Sequence, residues 1–224
     1  MTSILTTHVG SLPRSKELSE LLFAKDKGEE YSKEKFDEVL SLNVDQIVKR
    51  QLEVGIDFIS DGEMSKISYA TYIKDRIDGF SGESERRAPA DLDDFPEYKE
   101  KIAKSGGTPT YSRPCCTHEL KIKDEISLLN DISNFNTSLK KFNHTKAFMN
   151  AASPGVINVF MPNKFYNSDD DYLNKLSSIM ALEYEKITAA NIQVQLDCPD
   201  LALARHMNFK DLTEDEFLKR AEIQ

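Results

Sequence analysis

The stretch "SDDDYLNKLSSIMALEYEKITAANIQVQLDCP", Ser168 to Pro199, sets a helix and a strand back to back, and that order decides the fold class. Asp169, Asp170 and Asp171 stand where the amino end of a helix favours negative charge. Leu176, Met180, Tyr184 and Ile187 then recur at spacings of four, four and three, which is one apolar face of a helix. "IQVQLD", Ile192 to Asp197, follows as a strand and ends in acid.

Working outward, the same alternation recurs. A first strand is expected over about Ser3 to Val9, then a short helix from Ser15 to Lys27. A longer helix opens at Ser32, with Phe36, Leu40, Val44 and Ile47 on one face, and stops at Gly55 in a left-handed cap. A second strand, "IDFIS", ends at the acidic turn Asp61-Gly62-Glu63, and a helix is expected over Lys66 to Asp78. The regularity then breaks. Residues 79–114 are rich in Gly, Pro and charge, and read as an inserted excursion reaching to about residue 123, either a lid or a solvated surface loop. It ends in a hairpin through "TYSRPCCTHELKIK". Asp124 caps a helix to about Lys141, and "TKAFMNAASPG" reads as the third strand with its turn. The capping box Thr213-x-x-Glu216 opens a last helix that runs to Gln224. That helix has no stop signal, so the chain is expected to be cut within a larger fold.

Strands alternating with helices of this length specify a parallel sheet with helical crossovers. Four such units form an open doubly wound sheet or half of an eight-fold barrel, here as one domain over residues 1–224. The 29 basic and 38 acidic residues leave a net charge of −9, which argues against nucleic acid or an anionic membrane as partner. No apolar run approaches a membrane span, and the first residues lack the pattern of a signal peptide. Three cysteines, two of them adjacent, fit a reducing compartment, so a cytoplasmic location is expected.

In parallel α/β folds ligand groups gather at the carboxyl ends of the strands. This chain places polar groups at all four: His8, Gly10, Ser11 and Arg14; Asp61, Gly62 and Glu63; Asn150, Ser153, Pro154 and Gly155; and Asp197, Cys198, Pro199 and Asp200, with Arg205 and His206 soon after. Four polar strand ends on one rim point to a small-molecule site. Each also has a plainer reading: Gly10 and Pro13 as turn formers, Asp61-Gly62 as turn chemistry, Cys198 as a small buried hydrophobe. Cys115 and Cys116 lack the Cys-x-x-Cys pairing of a structural zinc site, and His118 and His144 fall in surface segments. No glycine-rich phosphate loop occurs.

"TTHVGSLPRS", "GIDFISDGEMSKISYATYI" and "QLDCPDLALARH" together resemble the catalytic domain of cobalamin-independent methionine synthase and its short single-barrel relatives. The resemblance implies a (β/α)8 TIM barrel of the uroporphyrinogen decarboxylase and methionine synthase type, with about its first half present. It implies that Val9, Gly10 and Ser11 hold a thiol amino acid and that Glu63 and Asp197 grip its ammonium. Arg113 in "SRP" resembles a position that contacts a folate tail, and His8 would sit near the metal position. Cys198 departs from the family, which has glutamate there, so the methyl-folate donor is left open. The family's zinc ligands come from later strands and lie beyond this chain, so no metal ligand is expected in it. The implied parent is a zinc-dependent S-methyltransferase acting on a thiol such as homocysteine in methionine biosynthesis. The chain alone is expected neither to bind zinc tightly nor to turn over. Alkyl transfer to another thiol and a non-catalytic half barrel that binds a ligand or pairs with a second copy over its open edges are the alternatives. A porphyrin-type decarboxylase fits less well, because it needs arginines where these strand ends carry acids.

Overall fold

The computed structural model describes residues 4–85, 90–104 and 111–223. Four parallel segments stand side by side in chain order. Thr7 bridges Phe58, β1 (Ile59–Ser60) pairs with β4 (Ala147–Ala152), and β4 pairs with β5 (Gln193–Asp197). A doubly wound sheet reverses its strand order at a switch point, whereas a barrel wall runs on without reversal. The unbroken order is that of a (β/α)8 wall covering its first four strands.

Helices follow where local chemistry dictates them. Ser15, Ser32 and Ser168 each accept a backbone N–H three residues on, opening α1 (Lys16–Lys27), α2 (Lys33–Glu53) and α6 (Asp169–Ala189). Thr213 and Glu216 form the reciprocal capping box of α8 (Glu214–Ala221). Asp124 receives the N–H of Ile126 at 2.8 Å, at the head of α4 (Ile126–Lys141). Gly55 takes the left-handed φ of +81° expected of it. The apolar faces of α1, α2 and α4 close over β1 and β4, with Leu18, Val48, Ile59 and Phe135 fully buried. Burying each such side chain contributes about 1.5–3 kcal/mol. A second core lies under α6 and the segments after β4 and β5, around Ile73, Ile157, Tyr172 and Leu176.

Four sequence expectations need correction. The first strand reduces to the single Thr7 bridge, because its neighbour Phe58 lies just before the two-residue β1; Ser3 lies outside the described residues. The helix over 66–78 is replaced by tight turns and a 3-10 helix, Thr71–Asp75, since Ser68 caps the N–H groups of Ala70 and Thr71 and breaks the run. In the excursion, β3 (Cys115–Ile122) is one arm of an antiparallel hairpin whose other arm is the earlier β2 (Ile77–Ser81). Its middle carries a second 3-10 helix, Ala90–Asp94, and α3 (Pro96–Lys104); residues 86–89 and 105–110 lie outside the described residues. The turns after β4 and β5 hold short helices, α5 (Pro154–Phe160) and α7 (Asp200–Met207). Among the described residues no helix is long and apolar enough to cross a membrane.

Candidate functional site

The site is built on the turn after β1. Asp61 Oδ1 accepts the N–H of Glu63 at 3.1 Å and Ser60 Oγ accepts that of Gly62 at 3.2 Å, so the chain doubles back with φ of +66° at Gly62 and +56° at Glu63. Glycine suits this position: a Cβ would stand 2.8 Å from the end of the Met64 side chain and 3.1 Å from Leu12 Cβ, at a φ that L residues rarely adopt. Glu63 has no such excuse. A left-handed conformation costs a non-glycine residue about 1 kcal/mol or more and persists where neighbours enforce it.

Those neighbours come from three strand ends. Ser11 Oγ donates to Glu63 Oε2 at 2.5 Å, and Asn150 Nδ2, on β4, donates to Oε1 at 2.7 Å. Arg14 Nη2 clamps the turn itself, donating to the carbonyls of Glu63 at 2.8 Å and Lys66 at 2.7 Å. Lys66 Nζ donates to the Asn150 carbonyl at 2.5 Å and sits 4.2 Å from the centre of the Tyr72 ring. Glu63 is thus buried and oriented from both sides.

Acids crowd the rim. Burial pushes the Asp61 carboxyl up to about 6, against the pull of Lys66. Asp197, half-buried at the end of β5, is raised by burial and then by the charge of Glu63, with Lys66 opposing. Burial also raises Asp200, although the Ser153 hydroxyl donates to it at 2.8 Å. Burial raises the Cys198 thiol too, so it stays protonated and poorly nucleophilic at neutral pH. Tyr69 is pushed up to about 12 by burial, with Tyr111 and Asp197 adding to it. The carboxylates of the site offer acceptors to a cation.

Of the residues expected from sequence, Ser11 and Glu63 meet directly and Asp197 lies within electrostatic reach of Glu63. Gly10 turns the chain at φ +76° before Ser11, in open space. Val9 and His8 are exposed; the His8 carbonyl accepts the Thr7 hydroxyl at 3.2 Å. Arg113 is not in the cluster: its guanidinium stacks 4.5 Å from the Phe160 ring and lines a separate cavity of about 340 Å³ with Lys164. His206 is exposed on α7, outside the hydrogen-bonded cluster. His118 and His144 are tied to local groups, the Thr117 hydroxyl and the carbonyls of Asp57 and Lys146.

Sequence reading passed over Lys66, the clamp made by Arg14, and the pairing of Asn150 with Glu63. It also passed over a buried ion network beneath the site. There Arg76 Nη1 donates to Glu183 at 2.7 Å and Nη2 to Asp131 at 2.5 Å, while the Tyr72 hydroxyl donates to Glu183 at 2.6 Å. Glu183 left a signal: it interrupts the apolar stripe of α6 between Met180 and Ile187. Among the described residues no group of three or more His, Cys, Asp and Glu side chains could hold a metal ion. These residues therefore do not fit a zinc site.

Comparison with known proteins points one way. Residues 4–88 match the profile of the family described as "Cobalamin-independent synthase, Catalytic domain". The methionine synthase of Sulfolobus acidocaldarius is 25% identical over 200 residues, covering 89% of this chain and 52% of that protein. The 5-methyltetrahydropteroyltriglutamate–homocysteine methyltransferase of Bifidobacterium longum (strain NCC 2705) is 33% identical over 75 residues, covering 34% of this chain and 10% of that protein. A B12-independent methionine synthase from Shewanella sp. W3-18-1, solved in complex with selenomethionine, superimposes with a TM-score of 0.63. It is 17% identical, and the match covers 88% of this chain and 52% of that one, which shows a shared fold. The chain thus spans about half the length of the proteins it matches end to end.

Proposed function

We propose that this chain belongs to the cobalamin-independent methionine synthase family and that its strand-end site binds the amino-acid end of a thiol such as homocysteine for methyl transfer to sulfur. The observation that carries this reading is the Glu63 carboxylate held by Ser11 and Asn150 with Asp197 facing it. Two carboxylates match a primary ammonium, and each Glu63 oxygen keeps a lone pair beyond the one its donor uses. The left-handed turn at Gly10 leaves the N–H groups of Gly10 and Ser11 to serve the ligand's carboxylate. Val9 lies at the open side, where an aliphatic thiol chain would pass.

Arg113 and Lys164, on their own cavity, are the cationic place for an acidic co-substrate such as a methyl-folate. Zinc supplies the thiolate in the family, but the described residues offer no ligand set for it, so the reading for this chain stops at binding. On this reading the protein works in the cytoplasm. A second copy is one way to cover the edge of β5, which no described strand pairs.

Calorimetric titration with L-homocysteine, L-methionine and their des-amino analogues tests the proposal. The amino acids should bind and the analogues should bind at least tenfold more weakly. Glu63→Gln should lower amino-acid affinity by about 2 kcal/mol or more, the usual cost of removing one member of a buried charge pair. Equal binding of the des-amino analogues, or wild-type affinity in Glu63→Gln, would overturn it.

A further inference from the structure

Beneath Glu63, a ring of contacts closes through one side chain. Asn150 Nδ2 holds Glu63 Oε1 at 2.7 Å, Lys66 Nζ holds the Asn150 carbonyl at 2.5 Å, and the Lys66 N–H returns to the Glu63 carbonyl at 3.0 Å. Only the lysine link in this ring carries a charge besides Glu63 itself. Lys66 is 3% exposed, so its ammonium is cut off from water and depends on the groups around it.

Those groups come from every element packed against it. Asp61 and Glu63 stand on its own turn, and Tyr72 offers a ring face from the 3-10 helix. Asp131 reaches it electrostatically from α4, Glu183 from α6 and Asp197 from β5. Two other cations are near: Arg76, bonded to Glu183 and Asp131, and Arg14, whose Nη2 is bonded to the Glu63 and Lys66 carbonyls and whose charge also reaches Glu63 and Asp61. The acids thus fall into two sets: Arg76 bonds Glu183 and Asp131 directly, while the charge of Lys66 acts on Asp61 and Asp197.

We propose that Lys66 is the positioning residue of this site: its ammonium fixes the strand end that orients Glu63 and supplies the positive charge facing the rim carboxylates. It does not touch the ligand. It acts by keeping Glu63 in place and by favouring the ionised form of Asp197 when no ligand ammonium is present, so that a cationic amine meets a preorganised pair. The inference rests on the amine-binding reading for its consequence in affinity, but its electrostatic content stands without any ligand.

Carboxyl titrations followed by carbon-detected NMR separate the two. In Lys66→Met the Asp197 and Asp61 midpoints should rise by about one pH unit or more relative to wild type, whereas Lys66→Arg should leave them close to wild type. Amino-acid affinity in Lys66→Met should fall about tenfold at pH 6 and recover toward pH 8, where the carboxyls ionise again. A merely structural lysine would lose affinity equally at both. Should Lys66→Met not fold, Lys66→Gln keeps a donor for the Asn150 carbonyl without the charge and carries the same test. In the wild type itself, the Lys66 ammonium resonance should move at the Asp197 midpoint. Unchanged midpoints in a folded neutral variant, or a Lys66 resonance blind to Asp197, overturn the proposal. Shifted midpoints in a protein that binds no amino acid leave Lys66 its role and remove the amine-binding reading instead.

Discussion

Replacing Arg76 with methionine removes a buried positive charge and leaves its partners behind. The guanidinium spans Glu183 at 2.7 Å and Asp131 at 2.5 Å and lies 4.9 Å from the centre of the Tyr72 ring, with its side chain only 9% exposed. Methionine fills most of the volume, so the cost is electrostatic. Breaking a buried ion pair from one side costs about 3–5 kcal/mol, because the remaining charge is neither solvated nor paired. Here two carboxylates are orphaned, but Lys66 reaches both and Ser65 still donates to Asp131 at 2.7 Å. A loss of about 4 kcal/mol follows, a large share of the roughly 5–15 kcal/mol that holds a typical domain. At this chain length it corresponds to a fall in Tm of about 10 °C. The pH dependence carries the sign. Burial disfavours the charge on Glu183, but Arg76 and Lys66 hold its carboxyl below the ordinary range; Asp131 is already raised by burial. Without Arg76 both folded-state values rise above those of the unfolded chain, so the native state takes up protons that the unfolded state does not. The deficit is therefore full above those raised values and shrinks as pH falls. Urea unfolding followed by circular dichroism at pH 8 and pH 5 measures it. A deficit below 1 kcal/mol at pH 8, or one that grows on acidification, refutes the reasoning.

Three further substitutions, two in the turn after β1 and one at Gly10, have expected outcomes. Asp61, buried with its carboxyl at about 6 against an ordinary 3.8, makes the fold less stable as pH rises between those values, by about 3 kcal/mol in all. Asp61→Asn keeps the acceptor for the Glu63 N–H, so it should exceed wild type in stability at pH 8 and match it at pH 4; thermal melts showing no such crossover remove the assignment. Gly62→Ala should cost about 2 kcal/mol or more, since it adds crowding against Met64 and Leu12 to a φ of +66°. Gly10→Ala, at φ +76° with nothing within 4 Å, should cost about 1 kcal/mol, and equal losses at the two glycines would show that crowding is not the cause.

What the sequence determined by itself was local in origin. Apolar spacing and serine caps specify α1, α2 and α6, and the alternation of helix with strand specifies parallel pairing, because each depends on residues within a few positions. The polar residues at the strand ends were legible for the same reason, and the expected alternation made Ser11, Glu63 and Asp197 candidates for one rim. Tertiary structure decided what local pattern leaves open. Thr7 pairs at one point only, since a strand exists only as far as its neighbour runs alongside it. In 66–78 the Ser68 cap breaks the helical run locally, but only the fold brings Lys66 to the Asn150 carbonyl, Tyr72 to Glu183 and Arg76 to Asp131. Ser11 meets Glu63 across 52 positions and Asn150 meets it across 87, separations over which spacing in the chain says nothing about distance. Charge is long-ranged and burial is collective. Which acids are buried, and which cations stand beside them, was therefore decided only when the strand ends closed around Lys66.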